Sequence, residues 1–143
     1  MVMEITQKVL DEMKEQLPER LPETGGIIGG TLNRITECWI EHASLLGEGV
    51  PCSYAPNVEK INAKIQEWQE NGIQFLGMFH THYFGVDSLS EGDVKYIRII
   101  MNQMPEEIKC LYFPLFVFPE KKLILYLANK ESSDIRKIDY VLI

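Results

Sequence analysis

The stretch Ile73-Gln74-Phe75-Leu76-Gly77-Met78-Phe79-His80-Thr81-His82-Tyr83-Phe84-Gly85-Val86-Asp87-Ser88-Leu89-Ser90-Glu91-Gly92-Asp93 decides how the chain is read. Ile73 to His82 is mostly apolar and too short for a helix with its connections, so it reads as a central strand ending in His80-Thr81-His82. Tyr83 to Leu89 is then a loop. Ser90 is a natural N-cap, Asp93 takes the third helical position, and Leu89 with Val94 has the spacing of a hydrophobic staple. A helix from about Glu91 to Met104 follows, with Val94, Ile97, Met101 and Met104 on one face and Pro105 just beyond.

Outward from this unit, Val58, Ile61, Ile65 and Trp68 recur at helical spacing, and Asn71-Gly72 stops that helix. Before it, Ile27-Ile28 and Ile35 to Ala43 read as two strands joined through Gly29-Gly30 and Asn33, entered from a Glu23-Thr24-Gly25-Gly26 turn. Ile5, Val9, Met13 and Leu17 give an amphipathic helix over Glu4 to Glu19, closed by Pro18 and Pro22. Downstream, Leu111 to Phe118 and Leu123 to Leu127 form a hairpin across Pro119-Glu120-Lys121-Lys122, with Pro114 pointing to an edge or a bulge. Ile138 to Ile143 offers a last strand. The order α, β, β, α, β, α, β, β with a closing β predicts one α+β (α/β-like) domain over residues 1–143, a curved mixed sheet flanked by helices.

Composition restricts the function. The chain has 143 residues, 45% hydrophobic and 24% charged, which is enough to bury a core without a metal or disulfide staple. Fourteen Lys and Arg against twenty-one Asp and Glu give a net charge of -7, which argues against a binder that tracks nucleic-acid phosphates. Cys38, Cys52 and Cys110 form no CxxC pair, so they are read as reduced thiols of a cytoplasmic protein. No stretch reaches the ~20 apolar residues of a membrane span, and no secretory leader is legible at the amino terminus.

Two of the three histidines are His80 and His82, which on a strand project from one face a few ångströms apart. Asp93, eleven residues after His82, stands in the first turn of the next helix, where a strand-loop-helix corner can return its carboxylate to the strand's end. Two imidazoles and one carboxylate leave a fourth tetrahedral position open, the arrangement of a catalytic zinc. An H-x-H pair also occurs as two polar residues near a sheet's end, and Ser90-x-x-Asp93 is independently a helix cap. His42, in an apparent strand, is read as surface or core. A catalytic zinc also needs a base, and Glu23, beside Gly25-Gly26 where backbone can approach a ligand, is favoured over Glu91 and Glu37.

His80-x-His82, seven residues, Ser90, two more and Asp93, preceded by Glu23-Thr24-Gly25-Gly26-Ile27-Ile28-Gly29, resembles the JAMM motif of MPN-domain zinc metallopeptidases. The resemblance spans essentially the whole chain. It implies a zinc peptidase or isopeptidase fold in which His80, His82 and Asp93 hold one catalytic zinc. It also implies that Glu23 is the general base and that Ser90 steadies the tetrahedral oxyanion. The family usually has proline after the second histidine, where this chain has Tyr83. Tyr83 and Phe84 could line a substrate groove or belong to the core, and Asp87 is a rival carboxylate with less support than Asp93.

The chain's length matches the compact prokaryotic form of the family, associated with ubiquitin-like or sulfur-carrier proteins ending in Gly-Gly. The resemblance therefore implies hydrolysis of the amide bond after such a tail, in a precursor or in a conjugate. The competing readings are a non-catalytic MPN scaffold and a zinc hydrolase of another small amide or peptide. Neither a nucleic-acid partner nor a membrane is expected.

Overall fold

The computed structural model describes residues 2–41, 54 and 56–143. His42, Cys52 and the expected end of a strand at Ala43 lie outside them. Among the described residues the order is β1 (Met3–Ile5), α1 (Gln7–Gln16), β2 (Gly25–Thr31), β3 (Arg34–Glu41), α2 (Val58–Glu70), β4 (Gln74–His82), α3 (Glu91–Gln103), β5 (Cys110–Val117), β6 (Lys122–Asn129), β7 (Ile135–Ile138) and β8 (Tyr140–Leu142).

All eight strands join one mixed sheet in the order β7-β6-β5-β4-β2-β3-β1-β8. Strands β7 and β8 occupy its opposite edges although only Asp139 separates them in the chain. Seven strand spacings laid flat would set those edges roughly 34 Å apart. Two Cα steps span at most about 7.6 Å. The sheet therefore curls until its edges nearly meet, so the architecture is α+β as expected but closer to a barrel than to an open curve.

Helix α1 lies on the concave side, where Val9, Leu10 and Met13 bury against Ile28, Ile35, Leu76, Phe79, Phe116 and Leu125. Helices α2 and α3 cover the other face. Ile61 and Trp68 of α2 pack on Ile27, and Ile97, Ile100 and Met101 of α3 pack on Leu111 and Phe113.

Several expectations need correction. The first helix begins at Gln7, because Met3–Ile5 pairs in parallel with β3 and β8 and Thr6 then caps the helix through its side chain. Periodicity alone could not separate that short strand from the helix it leads into. Gly25 and Gly26 are strand residues paired with His80 and Phe79, not a turn. Gly29 and Gly30 also belong to β2, so the connection to β3 is shorter than read. Ile138 to Ile143 divides between two strands on opposite edges. Pro114 sits in an interior strand, flanked by β4 and β6. It pairs with Leu125 on one side, and the pairing toward β4 passes from Tyr112 to Leu115, tolerating the missing N–H there.

Candidate metal centre

Strand β4 is out of phase with a simple alternation. Phe75 and Met78 pack with the α2 and α3 side, whereas Leu76 and Phe79 pack with α1. The change falls at Gly77, next to a register shift against β2, with φ of 149°. A Cβ at Gly77 would overlap the Tyr112 carbonyl, so only glycine fits this bulge. From there Met78, His80 and His82 share the face toward α3, while Phe79, Thr81 and Tyr83 point to the opposite side. Without the bulge, the residue parity of β4 would send the histidines into the apolar α1 core.

Parallel β4 and β5 are joined through α3 as a βαβ unit, which brings the helix N-terminus beside the strand's carboxyl end. Ser90 and Asp93 form a full capping box. The Asp93 amide donates to Ser90 Oγ at 3.0 Å, and the Ser90 amide donates to Asp93 Oδ2 at 2.9 Å. That fixes the carboxylate toward the histidines. His82 Nε2 lies 3.0 Å from Asp93 Oδ2, His80 Nε2 lies 3.3 Å from Asp93 Oδ1, and the two Nε2 atoms are 3.1 Å apart. His82 Nδ1 lies 3.2 Å from the Val86 carbonyl, an acceptor, so Nδ1 carries a hydrogen and Nε2 is the nitrogen turned toward Asp93.

Four ligands at the usual zinc distances of about 2.0–2.1 Å in a tetrahedron are separated by roughly 3.3–3.4 Å. The two imidazole nitrogens at 3.1 Å and His82 with Asp93 Oδ2 at 3.0 Å fall just under that value, while His80 meets the other Asp93 oxygen at 3.3 Å, so two imidazoles and one carboxylate converge at spacings near those of a zinc-sized ion. Glu23 approaches from the start of β2, its Oε2 at 3.9 Å from His82 Nε2 and therefore beyond the tetrahedral spacing. Glu23, His80 and His82 nonetheless form a group whose ligand atoms lie within 4.8 Å of one another. Two carboxylates thus face the histidine pair, a near one from α3 and a set-back one from the segment just before β2.

Burial alone would raise the Asp93 carboxyl, but hydrogen bonds from both histidines and from the Ser90 amide bring it well below the usual carboxylate range. Burial pulls the His82 imidazole down, and the hydrogen bond and charge of Asp93, with the charge of Glu23, outweigh it, so its net direction is up. Both shifts have one physical meaning. The pocket concentrates negative charge and nitrogen lone pairs on a single point and rewards a cation there.

Beneath the cluster runs a hydrogen-bond relay that the sequence did not reveal. The Thr24 amide donates to Thr81 Oγ1 at 2.9 Å, Thr81 Oγ1 donates to Tyr83 Oη at 3.1 Å, and Tyr83 Oη donates to the Pro18 carbonyl at 2.8 Å. Thr81 is fully buried, and its bond from the Thr24 amide, together with its bond through Tyr83 to Pro18, ties the end of β4 to the segment that carries Glu23. The outward-pointing histidines hid this function, although strand alternation places Thr81 and Tyr83 on the inner side. Tyr83 is therefore a core residue, stacked on Phe118 at 5.5 Å, and its hydroxyl anchors the segment before Glu23. Its neighbour Phe84 is 84% exposed with φ of 59°, a strained backbone for an aromatic residue, held by Gly85 and Val86 amide bonds to the Phe118 and Tyr83 carbonyls. Asp87 turns away to pair with Lys122 at 3.3 Å. Glu37 pairs with Lys8 at 3.2 Å, so this rival base is engaged elsewhere.

A third carboxylate, more deeply buried, stands behind Tyr54. Glu41 accepts from Tyr54 Oη at 2.6 Å and from the Asn57 amide at 2.9 Å. Tyr54 lies flat enough over Gly25 that a Cβ there would overlap its ring. The residues of the centre and Tyr54 share a cavity of about 500 Å3, whose apolar lining includes Met78, Tyr96, Ile97, Ile100 and Phe113.

No family model matches the chain, and no curated protein matches it. Solved structures do. A protein from Desulfitobacterium hafniense, determined in solution, is 17% identical with a TM-score of 0.72, covering 99% of this chain and 93% of its own. A JAB1/MPN domain protein from Archaeoglobus fulgidus is 14% identical with a TM-score of 0.56 and covers 99% of both chains. A structure described as JAMM, a metalloprotease-like zinc site in the proteasome and signalosome, is 12% identical with a TM-score of 0.50, covering 100% of this chain and 99% of its own. At such identities the likeness speaks to fold, and the fold is that of the JAB1/MPN domain. Among the described residues, no helix is long and apolar enough to cross a membrane.

Proposed function

We propose that the chain is a zinc-dependent peptidase or isopeptidase in which His80, His82 and Asp93 hold the metal, Glu23 is the general base and Ser90 contributes to the oxyanion site. The observation that carries this reading is the convergence of three donor groups within 3.0–3.3 Å of one another, with a second carboxylate set back at 3.9 Å. Asp93 takes the third ligand position in this reading because each imidazole has one of its two oxygens near tetrahedral spacing, at 3.3 Å for His80 and 3.0 Å for His82. Glu23 stands too far back for that spacing and has the reach of a group that handles a water proton.

When bound, the ion supplies Lewis acidity, which polarises a scissile carbonyl and makes water nucleophilic near neutral pH. Glu23 accepts the proton of the attacking water as its oxygen bonds to the carbonyl carbon. Ser90 Oγ already accepts from the Asp93 amide, which leaves its own hydrogen to donate toward the developing oxyanion. As the carbon–nitrogen bond breaks, Glu23 passes its proton to the departing amine, and the products are a carboxylate and a free amine.

The substrate under this reading is an amide that follows the Gly-Gly end of a ubiquitin-like or sulfur-carrier protein, in a precursor or a conjugate. A tail without side-chain bulk would be held by its backbone. Convergence of all five motif positions disfavours the non-catalytic scaffold. The test is zinc content by elemental mass spectrometry after reconstitution, together with cleavage of a Gly-Gly-extended ubiquitin-like fusion. Wild type and Glu23→Gln should retain zinc, His80→Ala and Asp93→Asn should lose it, and only wild type should cleave. Zinc lost in Glu23→Gln but kept in Asp93→Asn would reverse the two carboxylate roles, and zinc-loaded wild type inert on every such fusion would remove the substrate assignment.

A further inference from the structure

The cavity that holds the metal cluster is larger and more apolar than a Gly-Gly tail requires. Its volume of about 500 Å3 lies within the range of roughly 300–1,000 Å3 typical of pockets that enclose whole small molecules. Along β4 the same face carries Met78, His80 and His82, so an apolar floor begins one strand repeat, about 6.7 Å, below the first histidine. Tyr96, Ile97 and Ile100 of α3 and Phe113 of β5 wall the hollow. Tyr54 closes another side, and because its hydroxyl is committed to Glu41 it presents its ring. Among the described lining residues, the carboxylates are Glu23 and Asp93, and the other titratable groups are His80, His82 and the tyrosines Tyr54, Tyr83 and Tyr96.

Glycines on the acyl side of the scissile bond bring no side chain into this hollow. We propose that the hollow lined by Met78, Tyr54, Tyr96, Ile97, Ile100 and Phe113 receives a large apolar side chain of the residue immediately after the scissile bond. The preferred substrate is then a linear precursor with an aromatic or long aliphatic residue directly after Gly-Gly. A lysine isopeptide presents only a narrow methylene stem and leaves the walls wet. This inference rests on the peptidase reading for the position of the cut, while the hollow itself is an independent feature of the chain.

The experiment uses zinc-reconstituted full chain and four Gly-Gly fusions that differ only in the residue joined to the tail: Phe, Leu, Ser, or a lysine attached through its side-chain amine. Burial of a side chain of this size is worth on the order of tenfold or more in kcat/KM, so Phe and Leu should exceed Ser and the isopeptide by at least about that factor. Tyr96→Glu, which puts a charge on the hollow's wall, should shrink the Phe to Ser ratio to about 3 or less. As a second readout, a Phe-led product peptide should shift the Met78 methyl resonance of wild type while a Ser-led peptide leaves it in place. Turnover of all four fusions at equal rates, with no Met78 shift, overturns the inference and leaves the peptidase reading intact. Absence of turnover with the Met78 shift preserved upholds the hollow and removes the Gly-Gly substrate assignment alone.

Discussion

Tyr83→Phe isolates the relay beneath the metal centre, because it removes one oxygen and leaves the ring stacked on Phe118. The lost hydroxyl accepts from Thr81 Oγ1 at 3.1 Å and donates to the Pro18 carbonyl at 2.8 Å. Pro18 is exposed, so its carbonyl regains water. Thr81 is 0% exposed and its hydroxyl hydrogen loses its acceptor, which puts the cost at about 1–3 kcal/mol. For 143 residues the unfolding entropy is roughly 300 cal/mol/K, so Tm should fall by about 3–10 °C. Calorimetry of the metal-free protein measures this directly. Zinc content should stay at the wild-type level, since none of the proposed ligands touches the hydroxyl. Turnover should fall, because the relay tethers the segment that carries Glu23. A Tm within about 1 °C of wild type would refute the relay as a structural tie, and loss of zinc would refute the separation between anchor and ligands.

Other perturbations test the same contacts. Gly77→Ala places a Cβ on the Tyr112 carbonyl at a positive φ and should either unfold the protein or, where it folds, abolish zinc uptake by re-phasing His80 and His82, as read by circular dichroism and metal analysis. Ser90→Ala removes the helix cap and should cost about 1 kcal/mol in urea unfolding as well as slowing turnover. A free zinc concentration about 1,000 times its Kd should add about 4 kcal/mol to unfolding and EDTA should reverse it, visible as a Tm shift. In the metal-free protein His82 has a raised pKa, so its contribution is full below its ordinary value of 6.5 and fades as pH rises through the folded value, and unfolding curves should show stability declining in that window. Burial, with Glu12 beside it, pushes the Cys38 thiol up, so iodoacetamide at about pH 8 should label the exposed Cys110 and spare Cys38 by mass spectrometry.

The gathering of the donor side chains is legible because it depends on local spacing. An i, i+2 histidine pair at a strand's end and a cap-plus-carboxylate at the next helix's start are fixed by the geometry of those two elements, and the structure joins His80, His82, Ser90 and Asp93 in one hydrogen-bonded cluster as that geometry requires. Glu23 was chosen from its glycine neighbours, and β2 delivers it because Gly25 pairs with His80 across the sheet. The same local logic failed at the chain's ends. Met3–Ile5 and Ile135–Leu142 are too short to carry a period, and the pairing of β1 with β8 joins residues more than a hundred positions apart.

What the sequence determined by itself was the set of elements in the middle of the chain, the capping box, and the donor types of a metal site, all set by neighbours a few residues apart. Three things were decided only by tertiary structure. The sheet curls until its edges nearly meet, because one residue must join strands on opposite margins. The bulge at Gly77 selects which face the histidines occupy, because the Tyr112 backbone leaves room for nothing larger. The relay from Thr24 to Pro18 and the apolar hollow beside the cluster exist only where residues distant in sequence meet, since a buried hydroxyl and the walls of a hollow depend on partners that no local pattern specifies.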